Sequence, residues 1–257
     1  MAAIGSPDPS LDAESGIKEM SFLDHLEELR WSILKAVIGL LLATMGCAVF
    51  ADYIVQDILL KPLTTTGLKS QVLSPYGIVL LYMETVLICG LIISMPNSLF
   101  WLWKFVAPGL LRKERLYISR IVFFTSVCFF AGVVFAYYVL LPAALNFFSS
   151  FGTDTIDLNI AVDRYISFVL ALLLGAGLVF ELPMASYFLS KMGFLTPAFM
   201  RHYRKHAIVA ILIISALVTP SPDIVTQVLL AAPMFLLYEA SILISRLSQP
   251  KPFEASA

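Results

Sequence analysis

Six apolar segments separated by polar ones constrain the fold of this chain more than any other feature of its sequence. A transmembrane helix needs about 20 apolar residues to cross a hydrocarbon core of about 30 Å. Four segments reach that length, whereas the fifth is too short and the sixth is interrupted by polar residues and a proline. We therefore predict an all-α integral membrane protein with six transmembrane helices, of which the last two are short. The predicted spans are residues 31–50, 77–103, 116–141, 166–192, 207–218 and 224–244.

The composition excludes a water-soluble globule. Hydrophobic residues make up 59% of the 257 residues and charged residues 14%, with a mean hydropathy of +0.87. Soluble domains have roughly 45–50% apolar and about 25% charged residues. The net charge of −1 provides no basic face for nucleic acid. The three cysteines lie singly within apolar runs, so we interpret them as small packing residues rather than disulfide or metal partners.

The distribution of lysine and arginine predicts the orientation in the membrane, because cytoplasmic loops are enriched in these residues. The two termini and the loops on their side hold 13 of the 17 basic residues. The opposite loops hold Lys61, Lys69 and Arg164, and Lys35 lies one turn into the first span. We therefore expect both termini to be cytoplasmic. The predicted parts are a mobile polar tail (residues 1–20), a six-span membrane domain (residues 21–246) and a short cytoplasmic tail (residues 247–257).

An acidic amphipathic segment precedes the first span. Apolar residues recur at helical spacing within residues 21–30, and the polar face carries Asp24, Glu27 and Glu28. We interpret this segment as a short helix on the cytoplasmic membrane surface. Anionic lipid repels acids there, so the acidic face indicates a cationic partner. A solvated face, with acids favoured by the helix dipole, explains the pattern equally well.

Other carboxylates lie within or between the predicted spans. Glu181 is near the middle of the fourth span, where an ionised carboxylate costs at least a few kcal/mol unless it is paired, protonated or hydrated. It is a candidate contact for a polar substrate or partner, or else a structural hydrogen bond between helices. Glu84 and Glu239 lie nearer the membrane surfaces. Glu114 is the only acid in residues 108–115, where it is suited to a local ion pair.

No catalytic or metal-binding motif is recognisable in the sequence. It contains no HExxH, GxSxG, P-loop or GxGxxG pattern. His202 and His206 have the i, i+4 spacing of a metal pair, but no acid is near them in sequence. We therefore expect no metal, no cofactor and no enzymatic activity.

Five motifs occur in a fixed order between about residues 21 and 246. They are residues 22–30, with an HLxELR pattern; residues 103–110 with 113–115; residues 180–183; residues 217–223; and Gln227 with residues 233–234 and 238–239. In content, order and spacing they resemble the motifs of the TatC family, the multispanning subunits of the twin-arginine protein translocase. A lone HLxELR pattern would be weak, whereas five ordered motifs on six spans are specific.

The resemblance implies a glove-shaped, six-helix receptor in the cytoplasmic (inner) membrane. Such a receptor recognises the twin-arginine motif of signal peptides on folded cargo and assembles, in several copies, with the single-span partners TatA and TatB. By the same resemblance, Glu181 faces the concave side. The signal-peptide site maps onto Glu28, Leu29, Arg30, Phe105 and Glu114, the contacts to a partner's polar residue onto Thr219 and Gln227, and the caps that shape the cavity onto Pro62 and Asp223.

The chain departs from the family pattern in two places. Trp31 and Ser32 follow Arg30 where members often have another base, and Glu84 stands where members often have a lysine, so Glu84 receives no role by analogy. The chemistry of the mapped site still suits its expected ligand. A carboxylate binds a planar guanidinium through two hydrogen bonds, which an ammonium group cannot imitate.

Two other classes of function remain as alternatives. A proton-coupled secondary transporter would use Glu181 as its proton or substrate site, and it predicts internal two-fold repetition, of which the unequal span lengths give no sign. A purely structural scaffold predicts that removing the charge of Glu114 or Glu181 leaves function intact.

Overall fold

The computed structural model describes residues 22–65, 69–106, 118–150, 159–191, 195–218 and 224–248, and almost all of them are helical. The tails at residues 1–20 and 249–257 lie outside the described residues, as do Glu114, Thr219 and Asp223. The helices are α1 (Phe22–Val49), α2 (Ala51–Tyr53), α3 (Lys61–Thr65), α4 (Gly77–Val106), α5 (Ile118–Phe135), α6 (Leu141–Ser149), α7 (Val162–Val179), α8 (Leu182–Lys191), α9 (Pro197–His202), α10 (Arg204–Val218) and α11 (Ile224–Ser248).

Five helical stretches of the described chain are long and apolar enough to cross a membrane. They are His25–Val49, Gly77–Val106, Ser119–Ser149, Val162–Ser190 and Gln227–Arg246. The predicted fifth span is helix α10, which has 15 residues and a length of about 22 Å at 1.5 Å per residue. The predicted helical membrane fold is therefore confirmed with five spans, and a sixth crossing by α10 stays a prediction.

Helix α1 differs from the sequence prediction at its start. The prediction of a separate short surface helix over residues 21–30 is wrong, because one continuous helix runs from Phe22 to Val49. The junction at Arg30, Trp31 and Ser32 contains neither glycine nor proline, the residues that most readily interrupt a helix. The acidic segment is therefore rigidly attached to the first span.

The helical rods contain local irregularities. Single π-helical stretches occupy Ile54–Leu59 and Ala136–Leu140. Between α7 and α8 the helix is interrupted at Phe180 and Glu181, just before Pro183. A proline inside a helix has no N–H to donate and crowds the carbonyl four residues earlier, so α8 starts anew with Pro183 in its first turn. The break places Glu181 at a helix junction rather than in a regular turn.

Helix α7 is the centre of the molecule. In an 18-residue apolar stretch of Val162–Ser190, 50% of the residues are buried, whereas in the corresponding stretch of His25–Val49 only 11% are buried. Helix α5 approaches it closely at two glycines. A Cβ on Gly132 would lie 2.7 Å from the carbonyl oxygen of Ala176, and a Cβ on Gly177 would lie 2.7 Å from the ring of Phe129. The absence of these two Cβ atoms permits the close α5–α7 contact.

A short segment, residues 54–65, caps one end of the bundle. Its residues Val55, Leu59 and Leu63 are buried, and two tyrosines hold its backbone. The hydroxyl of Tyr137 donates to the carbonyl of Ile58 at 2.8 Å, and the hydroxyl of Tyr165 donates to the carbonyl of Leu59 at 2.9 Å.

The capping segment continues into α3 and a short pair of strands. Half-buried Pro62 stands in the first turn of α3, where proline is well tolerated. Beyond it, β1 (Lys69–Gln71) pairs in parallel with β2 (Asn159–Ala161), with Lys69 opposite Asn159 and Gln71 opposite Ala161. The two strands tie this cap to the start of α7.

Candidate functional site

One face of the first turns of α1 is turned inward. His25, Glu28 and Leu29 are half-buried and Ser32 is buried, whereas Leu26, Glu27, Arg30 and Trp31 are exposed. The inward residues follow the i, i+3, i+4, i+7 spacing of one helix face. The structure therefore places Glu28 and Leu29 on the inward side and separates them from Arg30.

The inward face of α1 meets the end of α4 through a ring contact. The imidazole of His25 stacks on the ring of Phe105, with centroids 4.4 Å apart and planes inclined by 17°. Phe105 is half-buried and lies one residue before the end of α4. Because Glu28 follows His25 by three residues on a continuous helix, the stack lies within one turn of the Glu28 carboxylate along α1.

The carboxylate of Glu28 has one oxygen without a donor among the described residues. Its Oε2 atom is buried and has no hydrogen-bond partner among the residues that the structure describes. A buried carboxylate oxygen without a donor is costly, so few such groups persist without a role. A guanidinium group is the side chain best suited to supply the missing donors.

Trp103, near the end of α4, packs against α8. Its ring packs on that of Phe188 at a centroid distance of 3.9 Å. The Nε1 atom of Trp103 is buried and lacks an acceptor among the described residues. Trp103 and Phe105 thus connect the end of α4 to two different helices, α8 and α1.

Glu181 is a second carboxylate with an unpaired oxygen. It is half-buried, and its Oε1 atom is buried without a hydrogen-bond partner in the described part of the chain. Its backbone bridges the break, because its N–H donates to the carbonyl of Leu178 at 3.2 Å and its carbonyl accepts from the N–H of Ala185 at 2.9 Å. The structure therefore fixes the backbone of Glu181, and none of the described residues donates to its Oε1 atom.

Polar contacts fix the last two helices. Half-buried Gln227 on α11 donates from Nε2 to the carbonyl of Leu212 on α10 at 3.0 Å. Nearer the other end of α11, Glu239 forms an ion pair with Arg204 at 2.7 Å. One amide hydrogen of Gln227 is thus engaged within the chain.

Three further polar residues singled out in the sequence, Glu84, His202 and His206, have partners in the structure. Glu84 accepts a hydrogen bond from the hydroxyl of Ser167 at 2.5 Å, which joins α4 to α7. His202 and His206 both lie against the ring of Tyr203, at centroid distances of 5.1 and 5.4 Å. No group of three or more metal-ligand residues occurs in the described part of the chain.

Comparison with known proteins identifies the family. The family model of the Sec-independent protein translocase protein (TatC) matches residues 24–233. The TatC protein of Carboxydothermus hydrogenoformans is 36% identical over 236 residues, covering 92% of this chain and 97% of the relative. The TatC protein of Helicobacter pylori strain J99 is 39% identical over 228 residues, covering 89% and 90%. A crystal structure of the twin-arginine translocase receptor TatC matches with a TM-score of 0.79 at 35% identity, covering 87% of this chain and 99% of that one.

The chain belongs to the TatC family. It is a membrane protein with several apolar spans and a component of the protein translocase that gives the family its name. The resemblance stated from the sequence motifs is therefore confirmed. The family is named for protein translocation and not for a catalysed reaction.

For this TatC-family member, the structure brings together part of the site expected from the sequence. Glu28, Leu29 and Phe105 lie at the meeting of α1 and α4, Arg30 points away from it, and Glu114 lies outside the described residues. Glu181, Pro62 and Gln227 occupy other levels of the bundle.

Two residues of this region, His25 and Trp103, were not predicted as site residues. A signal for His25 exists in the sequence, since it precedes Glu28 by three residues and so shares its helix face. Trp103 gives no comparable signal, because its contact with Phe188 joins residues 85 positions apart in the chain.

Proposed function

We propose that this chain is the signal-peptide receptor subunit of a twin-arginine translocase. The observation that carries the proposal is the buried, unpaired oxygen of Glu28 beside the His25–Phe105 stack. The Oε2 atom has no donor among the described residues, and a bound guanidinium supplies one. The family relationship and the solved receptor structure support the same function.

In the proposed binding mode, each arginine of the twin-arginine motif meets one carboxylate. Glu28 receives one guanidinium and Glu114, in the following cytoplasmic loop, receives the other. Leu29 and Phe105 contact the apolar parts of the peptide, and exposed Arg30 faces lipid phosphates or the peptide's flank. A twin-lysine peptide loses the two-pronged hydrogen bonds and binds less tightly.

The apolar part of the signal peptide then lies along the bundle toward Glu181. The unpaired Oε1 atom of Glu181 supports this path, because a polar group of the peptide or of a partner helix supplies a donor there. On this view Glu181 faces the concave side of a glove-shaped bundle. Pro62 and Asp223 belong to the caps that shape that cavity.

Partner subunits bind at the last two helices. Thr219 and Gln227 contact a polar residue of a single-span partner of the TatA or TatB type, and several copies of each subunit form the working complex. Short α10 supports this assignment, because a helix of about 22 Å thins the bilayer around it and favours association with other spans. The amide of Gln227 donates to the carbonyl of Leu212, and its side-chain carbonyl is the group proposed to meet the partner.

The proposed topology has six transmembrane helices with both termini in the cytoplasm of the cell, and the membrane is the cytoplasmic (inner) membrane. The excess of lysine and arginine in the termini and the loops on their side supports this orientation. The proton-coupled transporter is not favoured, since the relatives are named as protein translocase components.

Site-specific crosslinking in inverted membrane vesicles tests the proposal. A photoprobe at position 113 is exposed to a twin-arginine signal peptide or to its twin-lysine version, and a probe at Val79, an exposed residue at the other end of α4, serves as control. We expect crosslinking from position 113 with the arginine peptide only, and its loss with Glu28→Gln or Glu114→Ala. Equal crosslinking of both peptides, or crosslinking that survives both substitutions, would contradict the receptor site.

A further inference from the structure

Two lysine ammonium groups from different helices converge on one tryptophan ring. The Nζ of Lys35, on α1, lies 4.5 Å from the centre of the Trp101 ring, and the Nζ of Lys104, at the end of α4, lies 4.9 Å from it. The two ammonium groups are therefore less than 10 Å apart. The electron-rich ring attracts each of them, but their like charges repel each other.

The ring itself is held in place by a chain of hydrogen bonds between α4 and α1. The Nε1 of Trp101 donates to the Oδ1 of Asn97 at 3.1 Å, and the Nδ2 of Asn97 donates to the carbonyl of Ala36 at 3.4 Å. Gly39 makes room for this, because a Cβ at that position would collide with the Asn97 side chain. The indole is thus a fixed platform to which both lysines extend.

Neither lysine has a carboxylate partner in the described part of the chain. Both side chains are exposed, so their ammonium groups are accessible from outside the bundle. Two neighbouring cations on a fixed platform, with no counter-charge among the described residues, form a site that an anion stabilises.

The position of the cluster indicates which anion is available. Lys35 lies within an apolar helix, and a lysine there extends its ammonium to the headgroup level of the membrane. Tryptophan side chains such as Trp101 and the exposed Trp31 are enriched at this level. Deeper along the exposed side of α1, Ile38 and Leu42 present apolar side chains, as the acyl chains of a lipid require.

We propose that Lys35, Trp101 and Lys104 bind the phosphate of an anionic phospholipid, whose acyl chains lie against Ile38 and Leu42. The shared chemistry is that of any phosphate monoanion, and the surrounding apolar surface assigns it to a lipid headgroup rather than to free phosphate. This site stands independently of the proposed receptor function. It adjoins that site, because Lys104 directly precedes Phe105.

Fluorescence quenching by brominated lipids tests the proposal. A Trp31→Phe/Trp103→Phe variant keeps Trp101 as the single tryptophan, because the chain has three. It is reconstituted in phosphatidylcholine vesicles that contain equal fractions of either brominated phosphatidylglycerol or brominated phosphatidylcholine. We expect the anionic lipid to quench Trp101 at least threefold more than the neutral lipid. Equal quenching by the two lipids would overturn the proposal.

Lysine substitutions in the single-tryptophan variant test whether the lysines cause the preference for anionic lipid. Lys35→Gln/Lys104→Gln should abolish it, whereas Lys35→Arg/Lys104→Arg and the matched control Lys205→Gln, an exposed lysine on α10, should retain it. Far-UV circular dichroism establishes that each variant is folded. If the glutamine variant unfolds, the single Lys104→Gln substitution at the helix end replaces it and should lower the preference. A preference unchanged by removal of the lysine charges would contradict the assigned site.

An experiment in vesicles without anionic lipid distinguishes binding of a lipid headgroup from binding of free phosphate. Inorganic phosphate added to them should leave the Trp101 emission as it is in sodium chloride of the same ionic strength. A saturating change at millimolar phosphate would overturn the lipid assignment in favour of a soluble anion.

Discussion

The imidazole of His25 lies nearly parallel to the ring of Phe105, at a centroid distance of 4.4 Å and an angle of 17°. This stack joins the start of α1 to the end of α4, and it lies one helical turn from Glu28. Stacked aromatic pairs contribute about 0.5–1.5 kcal/mol beyond the area that they bury. His25 therefore helps to hold Phe105 where the proposed site needs it.

Substitution of His25 tests this positioning role. We expect His25→Ala to weaken binding of a labelled twin-arginine peptide to the detergent-solubilised protein about 3- to 10-fold, the equivalent of the lost ring contact. His25→Phe should restore most of the affinity because it keeps the stack. Leu26→Ala, at an exposed neighbouring position, should have no effect. If the phenylalanine variant binds as weakly as the alanine variant, the ring contact is not what matters.

Removal of the charge of Glu28 should weaken peptide binding without lowering the stability of the protein. Since its buried Oε2 has no donor among the described residues, Glu28→Gln should leave the thermal unfolding temperature unchanged or raise it. Hydrogen bonds to charged groups contribute about 1.5–3 kcal/mol, so affinity for the twin-arginine peptide should fall roughly 10- to 100-fold.

Glu27→Gln is the matched control for Glu28→Gln, because Glu27 is the preceding residue of the same helix and is exposed. A fluorescence titration of the labelled twin-arginine peptide measures the affinity of both variants, and that of Glu27→Gln should stay within twofold of the parent protein. Equal effects of the two substitutions would indicate a general contribution of negative charge at this surface instead of a site at Glu28.

Much of the fold follows from the spacing of apolar residues. The predicted span at residues 77–103 is found as part of α4, Gly77–Val106, because a helix satisfies its backbone hydrogen bonds internally, as the hydrocarbon core requires. The break beside Glu181 is less accessible from the sequence. Pro96 lies inside α4 and leaves it continuous, whereas Pro183 coincides with an interruption, so local sequence alone does not determine the outcome.

In the candidate sites, pairs of residues on one helix could be predicted from the sequence, whereas contacts between helices could not. Helical spacing places His25 with Glu28, which depends on one element alone. The sequence places Lys35 one turn into the first span, and its contact with Trp101 on another helix was not predicted. That contact depends on the way α1 packs against α4, to which Asn97 and Gly39 contribute a hydrogen bond and a close approach.

The contact of α5 with α7 predicts a large difference between two glycine substitutions. A Cβ at Gly132 would meet a backbone atom, the carbonyl oxygen of Ala176, at 2.7 Å, whereas a Cβ at Gly46 would meet nothing within 4 Å. Overpacking costs typically about 1–3 kcal/mol, and alanine in a helix is about 0.5–1 kcal/mol better than glycine. Gly132→Ala should therefore lower the thermal unfolding temperature, and Gly46→Ala should keep or raise it.

Differential scanning fluorimetry in one detergent measures both glycine variants under the same conditions. The two substitutions add the same methyl group to a helix in the same protein, so the difference between them isolates the interhelical contact. Equal unfolding temperatures would show that α5 and α7 separate without cost at Gly132.

Ser190 and Ser245 have buried hydroxyls in contact, so we expect substitutions of the two residues to have non-additive effects on the free energy of unfolding. The Oγ of Ser190 donates to the Oγ of Ser245 at 2.6 Å, which joins α8 to α11 in a buried position. Ser190→Ala leaves the hydroxyl of Ser245 without this donor, at a cost of about 1–3 kcal/mol. The double variant removes both groups and should be less destabilised than the sum of the single variants. Denaturant unfolding of the four proteins gives the coupling free energy, and strictly additive effects would mean that the hydrogen bond does not contribute to the packing of α8 on α11.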